Sequence, residues 1–337
     1  MPWRISTLIE RKGWGDFERL IKGNRVLVPR KKGTKRYRGD KHREITSTSY
    51  DSEEKHRVMT KTNYVSASVA LFAALLAASL LALGLPDVAF PQEATSEQVI
   101  TSQGPLTSIA IGSDLSCQVD HKGNGAGGEF YEGASPLDPN TSCGTLLAVG
   151  DTTFGRFYED FTPVSQSAVV GRGTERRPFK VTTVVDVGDT GLRIIQTDSY
   201  VVGNNFYTTK ITVKNRGTSR QDVILYHYGD CYLNLTDDNT RGNVVQSGLG
   251  DAPACESTDP NAPEQISLLP RSSGYTYQAG ALSATFAAFD DQVPYENTCD
   301  ECPNEADSGV GLSWELSIGP GASKAKTLRT RVVVPRS

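Results

Sequence analysis

Histidine, methionine and tryptophan are scarce in this chain. Its 337 residues hold 4 His, 2 Met and 3 Trp, and beyond residue 85 only His121, His227 and Trp314 remain of the first and last. A hydrolase triad or an imidazole metal centre would have to use one of those two histidines. The sequence also lacks the GxSxG nucleophile elbow, the HExxH zinc helix, the GxxxxGK[ST] phosphate loop and any pair of CxxC motifs at zinc spacing. No apolar period of 3.6 residues runs to useful length after residue 85, which excludes helical bundles and doubly wound α/β folds for that part. No repeat of fixed length recurs, so solenoids and propellers are excluded as well. Chemistry by paired carboxylates stays open, because such pairs meet only in three dimensions. The acids are too many for the sequence to single out a pair.

What is present begins with an uncharged, proline-free run, VSASVALFAALLAASLLALGL, which opens at Val65 and closes at Leu85. As a helix it would span about 30 Å, the thickness of a bilayer's hydrocarbon core. The charges divide around it. Residues 1–63 carry 17 Lys and Arg against 8 Asp and Glu, a net of +9, whereas the remainder carries 18 against 31, a net of −13. The basic side, including RKKGTKRYR at 30–38, reads as cytoplasmic and everything after the run as exterior. Two readings of the run stand side by side. It is an uncleaved signal anchor holding the protein to the membrane, or a secretory signal that starts at Met59 and is cleaved near Ala82 and Gly84, with residues 1–58 then lying outside the true reading frame. No nucleic-acid partner is expected, since the basic tail reads as a solvated anchor flank.

All six cysteines, Cys117, Cys143, Cys231, Cys255, Cys299 and Cys302, follow the run. An even number on the exterior side predicts disulfides, and the expected pairing is sequential: Cys117 with Cys143, Cys231 with Cys255, Cys299 with Cys302. The last pair forms CDEC, the spacing of redox motifs, but its acidic, turn-rich surroundings would raise a thiol pKa, so it is read as a small structural loop.

From residue 106 onward the chain reads as β. Between residues 178 and 233, runs rich in Val, Ile, Thr and Tyr are broken by GDTG, GNN and NRGTSR, the pattern of consecutive antiparallel strands with tight turns. Thr209, Ile211 and Val213 alternate with Thr208, Lys210, Thr212 and Lys214, giving one apolar and one wet face. The stretches EQISLLP, GYTYQAGALSATFAAF and GVGLSWELSIGPGASKAKTLRTRVVVP continue in the same style, with Leu312, Trp314, Leu316 and Ile318 on one inward face and GPGAS as a turn between two strands. The expected architecture is all-β: a large antiparallel β-sandwich ectodomain over 106–337, preceded by a polar linker at 86–105, one N-terminal hydrophobic helix at 65–85 and a basic tail at 1–64.

The segments TGLRIIQTDSYVVGNNFYTTKITVKNRG, GDCYL and GLSWELSIGPGAS resemble poorly characterised extracellular modules of actinobacterial surface proteins. Long paired strands followed by a DCYL element are also similar to the large β-sandwiches of the mutarotase-like type. That resemblance implies a carbohydrate ligand, since the class includes carbohydrate-processing and carbohydrate-binding members, and it brings no catalytic residue with it.

Two loops offer oxygens to a calcium ion, DHKGNGAGGE at 120–129 and NLTDDNTRGN at 234–243, the latter through Asp237, Asp238 and Asn239. No other cofactor is expected. A further candidate is YHYGDCYLNLTDDN at 226–239. If it opens as a strand, Val223, Leu225, His227 and Cys231 share one face, which makes His227 a core histidine. Tyr226, Tyr228, Asp230 and Tyr232 share the other, where aromatic rings beside a carboxylate suit a sugar ring, and Tyr200 and Tyr207 would extend that face from neighbouring strands. The same ladder could equally serve only to stabilise a sheet. The resulting expectation is a secreted or membrane-anchored cell-surface module, binding or structural, with cell-envelope polysaccharide as its ligand class; the rival is a carbohydrate-active enzyme on a similar fold.

Overall fold

The computed structural model describes residues 97–334, apart from 123–128, 134, 238, 301, 303, 305 and 306. The basic tail and the apolar run at 65–85 therefore lie outside the described residues. Among the described residues no helix is long and apolar enough to cross a membrane.

Among the described residues seventeen strands form three sheets. The small one orders as β1 (Glu97–Thr101), β2 (Leu106–Gly112), β3 (Cys117–His121). A six-stranded sheet runs β15 (Thr298–Asp300), β14 (Thr276–Ala281), β16 (Ser308–Ile318), β10 (Gln221–Asp230), β4 (Cys143–Val149), β5 (Thr152–Phe154). The eight-stranded sheet runs β11 (Thr240–Ser247), β12 (Gly250–Ser257), β13 (Gln265–Pro270), β17 (Ser323–Val333), β9 (Phe206–Asn215), β8 (Leu192–Tyr200), β7 (Phe179–Val187), β6 (Thr162–Gln166). Pairing is antiparallel everywhere except between β14 and β15. The architecture is an all-β sandwich.

The two large sheets bury alternate residues against each other, as period two requires. Leu147, Leu225 and Trp314 form one register row of the six-stranded sheet, and Ile194, Ile211, Val213 and Leu328 answer from the other. Ile100, Ile109 and Ile111 of the small sheet join the same core. The strands expected between 178 and 233 are β7 to β10, and the inward face of Leu312, Trp314, Leu316 and Ile318 is as read.

Two expectations are corrected, and one turn gains a role. Glu97–Thr101, assigned to a polar linker, is strand β1, because its Val99 and Ile100 pair with Ala110 and Ile109. GPGAS is the turn between two strands as read, and it crosses between sheets, since β16 belongs to one and β17 to the other. The segment LSATFAAFD, read as β, is helix α1 (Leu282–Asp290). Its Ala and Leu favour helix, and its aromatic residues then fall three apart on one face, where they pack on the six-stranded sheet.

Candidate functional site

The three disulfides join Cys117 to Cys143, Cys231 to Cys255 and Cys299 to Cys302, the sequential pairing. The first ties the small sheet to the six-stranded one. The second ties the end of β10 to β12 in the opposite sheet. Both bear on the same place, the loops just beyond β10.

Strand β10 separates its two faces as expected, but its tyrosine face is covered. Tyr226 and Tyr228 are fully buried. Phe289 of α1 makes edge-on contacts with both rings, its centroid 5.0 Å from each, and Tyr295 adds a third ring 5.7 Å from Tyr226. The Tyr226 hydroxyl donates to the Val293 carbonyl at 2.9 Å. Burial raises the pKa of both phenols. Tyr228 sits in a register row between Gly144 and Gly311, which leaves its ring room to lie flat, and a Cβ on Gly311 would collide with the Tyr295 ring. Tyr200 and Tyr207 do not extend this face. They are buried in the eight-stranded sheet on the opposite side of the core, where the Tyr200 hydroxyl accepts from the Leu106 amide and donates to the Asn204 carbonyl. The expected exposed ladder is instead a second small core beneath α1.

The other face of β10 carries a polar chain that crosses the sandwich. Thr145 Oγ1 donates to Gln196 Oε1 at 2.7 Å and lies 3.0 Å from His227 Nδ1. Having spent its proton on Gln196, Thr145 accepts from Nδ1–H, which leaves Nε2 as the unprotonated ring nitrogen. Gln196 Nε2 donates to Asp198 Oδ2 and Thr209 Oγ1 to Asp198 Oδ1, at 3.0 and 2.6 Å. All five residues are essentially inaccessible. Burial pushes His227 down to about 4 and Asp198 up to about 6, so His227 is neutral near pH 7 and Asp198 holds its proton only below about pH 6. His227 is a core histidine, although its Nε2 has no hydrogen-bond partner.

Only beyond β10 does the quoted stretch reach the surface. The Asp230 amide donates to the Ser142 carbonyl, Cys231 to Ser308 and Tyr232 to Phe130. These bonds, with the Cys231–Cys255 link, set Tyr232 half-buried in a cleft of about 380 Å³ that it shares with Glu129, Glu132, Asn140 and Asp237. The wall at 131–133 hangs on buried Gln118, whose Nε2 donates to the Tyr131 carbonyl at 2.8 Å and to the Gly133 carbonyl, and whose Oε1 accepts from the Tyr131 amide. Behind the wall, Asp230 is 2% exposed with Oδ1 unpartnered. Burial, then the charges of Asp307, Glu132 and Asp237, hold its carboxyl far above the usual range, and it shares a hydrogen bond with Glu132.

The structure thus brings Tyr232 and Asp237 to one cleft, sets Asp230 buried behind its wall, and leaves Tyr226, Tyr228, Tyr200 and Tyr207 buried elsewhere. Of the proposed calcium ligands, Asp238 lies outside the described residues, as does most of the 120–129 loop, and among the described residues no group of three acids, cysteines or histidines is arranged to hold a metal. Sequence reasoning reached Glu129 only as the end of a calcium loop and missed Glu132 and Asn140 as cleft residues. Their one signal was that all three fall inside the loop closed by the first disulfide.

No protein-family model and no curated protein matches the sequence. Among solved structures the chain is similar to a galactose mutarotase-like protein from Lactobacillus casei ATCC 334, with 10% identity, a TM-score of 0.37 and coverage of 71% of this chain and 100% of that one. It is similar to a proposed aldose 1-epimerase from Escherichia coli K12, with 10% identity, a TM-score of 0.39 and coverage of 71% and 99%. A proposed kojibiose phosphorylase from the human microbiome gives 8% identity and a TM-score of 0.35; 71% of this chain is covered, but it spans only 26% of that protein. The mutarotase-like sandwiches that the sequence resembles are therefore among its structural neighbours, and the likeness transfers no site residue.

Proposed function

We propose that the chain is a cell-surface binding module, exported through its apolar run, whose Tyr232 cleft takes a neutral sugar of the cell envelope. The observation that carries the reading is the cleft itself: one half-exposed aromatic ring among side-chain carboxylates and an amide. A sugar presents CH groups to a ring face and hydroxyls to carboxylates and amides, which is what Tyr232, Glu132, Asp237 and Asn140 offer. The acids disfavour an anionic ligand. Three disulfides among all six cysteines support an oxidising, exterior location.

A carbohydrate-active enzyme on the same scaffold is the second reading, since buried Asp230 keeps its proton and could serve as an acid. Its hydrogen bond to Glu132 argues against that role. Glycosidase carboxyls stand about 5 Å apart in retaining enzymes and about 6.5 to 9.5 Å apart in inverting ones, whereas these two are in direct contact.

The test is a pull-down of the full chain on cell-wall polysaccharides and a neutral glycan panel, alongside Tyr232→Ala and Tyr226→Phe. Binding by wild type and Tyr226→Phe but not by Tyr232→Ala is the expected result. Equal binding by all three would exclude the cleft, and release of reducing ends would favour the enzyme.

A further inference from the structure

The outer face of the eight-stranded sheet carries positive charge with little to balance it. Its middle rows run Thr182, Thr197, Lys210, Thr327 and, one pleat on, Lys180, Ser199, Thr208, Arg329. Neither row holds a carboxylate. Lys180, Lys210 and Lys214 are exposed, and among the described residues neither they nor Arg329 and Arg331 form an ion pair. The Asp186 carboxylate at the rim is already held by Arg193 at 2.7 Å and Arg216 at 3.1 Å.

Two guanidiniums are set in place before any partner arrives. Arg329 lies over the Phe206 ring, 4.2 Å from its centroid, and the Nε atoms of Arg329 and Arg331 are buried without a hydrogen-bond acceptor. Arg271 adds a like charge beside Arg329. A guanidinium held over a ring favours an anionic oxygen at its accessible amino groups. All this lies on a part of the chain whose net charge is −13 after residue 63.

We propose that this face docks a linear anionic glycan, a uronate-bearing polymer lying across the strands. Neighbouring strands stand about 4.8 Å apart, so the three strand steps from Lys180 to Arg329 cover about 14 Å, the reach of a few sugar units. The Thr and Ser hydroxyls between the cations match the hydroxyls between the carboxylates of such a chain. A lipid surface fits less well, because it would be met by large apolar side chains, and the middle rows present none that is exposed among the described residues. The face and the Tyr232 cleft are separate sites of opposite charge preference.

Binding of the full chain to polygalacturonate is compared with binding to its fully methyl-esterified, neutral form and to vesicles of phosphatidylglycerol in phosphatidylcholine. The acid polymer binds, more weakly as salt rises, and the ester does not. Lys180→Gln with Lys210→Gln, both exposed and away from the core, weakens binding at least tenfold. Arg329→Gln weakens it further, and Tyr232→Ala binds the polymer as wild type does. Equal binding to the ester, an unaffected lysine double variant, loss of polymer binding in Tyr232→Ala, or tighter binding to the vesicles would each overturn the proposal, the last by assigning the face to a membrane.

Discussion

His227 and Asp198 stand at the two ends of one buried hydrogen-bonded chain, and burial moves them in opposite directions. The unfolded chain gives up the Asp198 proton near pH 4, whereas the folded chain keeps it to about pH 6. In that window the folded state binds more protons, so stability falls as pH rises, by about 3 kcal/mol from this group. His227 runs the other way. Unfolded, it takes up a proton near pH 6.5, and folded not until about pH 4, so stability falls as pH drops through that range, again by about 3 kcal/mol. The two slopes largely offset in the wild type. His227→Gln, which keeps a group for Thr145, removes only the second. The stability difference between variant and wild type, measured by urea unfolding, should shift in the variant's favour by about 3 kcal/mol between pH 7 and pH 4. A constant difference would mean that His227 is charged or solvated in the folded state.

At the scale of elements, α1 is held to the sheet by aromatic edges. Phe289 touches Tyr226, Tyr228, Phe286 and Tyr295 and is completely buried. Phe289→Ala should cost about 3 to 5 kcal/mol, with loss of the near-ultraviolet tyrosine signal as the helix loosens. Tyr226→Phe removes the hydroxyl shared by the Val293 and Ala288 carbonyls and should cost about 1 kcal/mol in the same unfolding assay. This helix also marks where the sequence stopped being legible. Strands β7 to β10 could be read because alternation, β-branched residues and Gly-rich turns agree there. LSATFAAF has the right composition for either state, and what decides between them is the buried ring surface of Tyr226 and Tyr228, which lies far away in the chain. The alternation on β10 is legible in the sequence, but the cover over one of its faces is not, and that cover decides between a binding surface and a sheet-stabilising ladder. The cleft is half legible for a similar reason: Tyr232 and Asp237 are local to one stretch, whereas Glu129, Glu132 and Asn140 arrive through the sheet pairing and the disulfides.

For the molecule as a whole, the disulfides do more than close loops. Cys231–Cys255 joins the two large sheets at the edge of the cleft, next to Tyr232. Replacing both cysteines by serine should lower unfolding stability by about 3 kcal/mol, as expected for a loop of this length, and should weaken sugar binding before it abolishes folding. The two proposals give one sandwich two surfaces, an acidic cleft for a neutral sugar and a basic sheet face for an anionic chain. Its central claim concerns the cleft, because that is where the stretch between Tyr226 and Asn239 reaches solvent. The most direct measurement is a calorimetric titration of the full chain with the neutral oligosaccharide that the panel selects, repeated with Tyr232→Ala and Glu132→Gln. The account predicts saturable binding by wild type and at least tenfold weaker binding by each variant; wild-type affinity in both variants, or no heat from any neutral sugar, would contradict it.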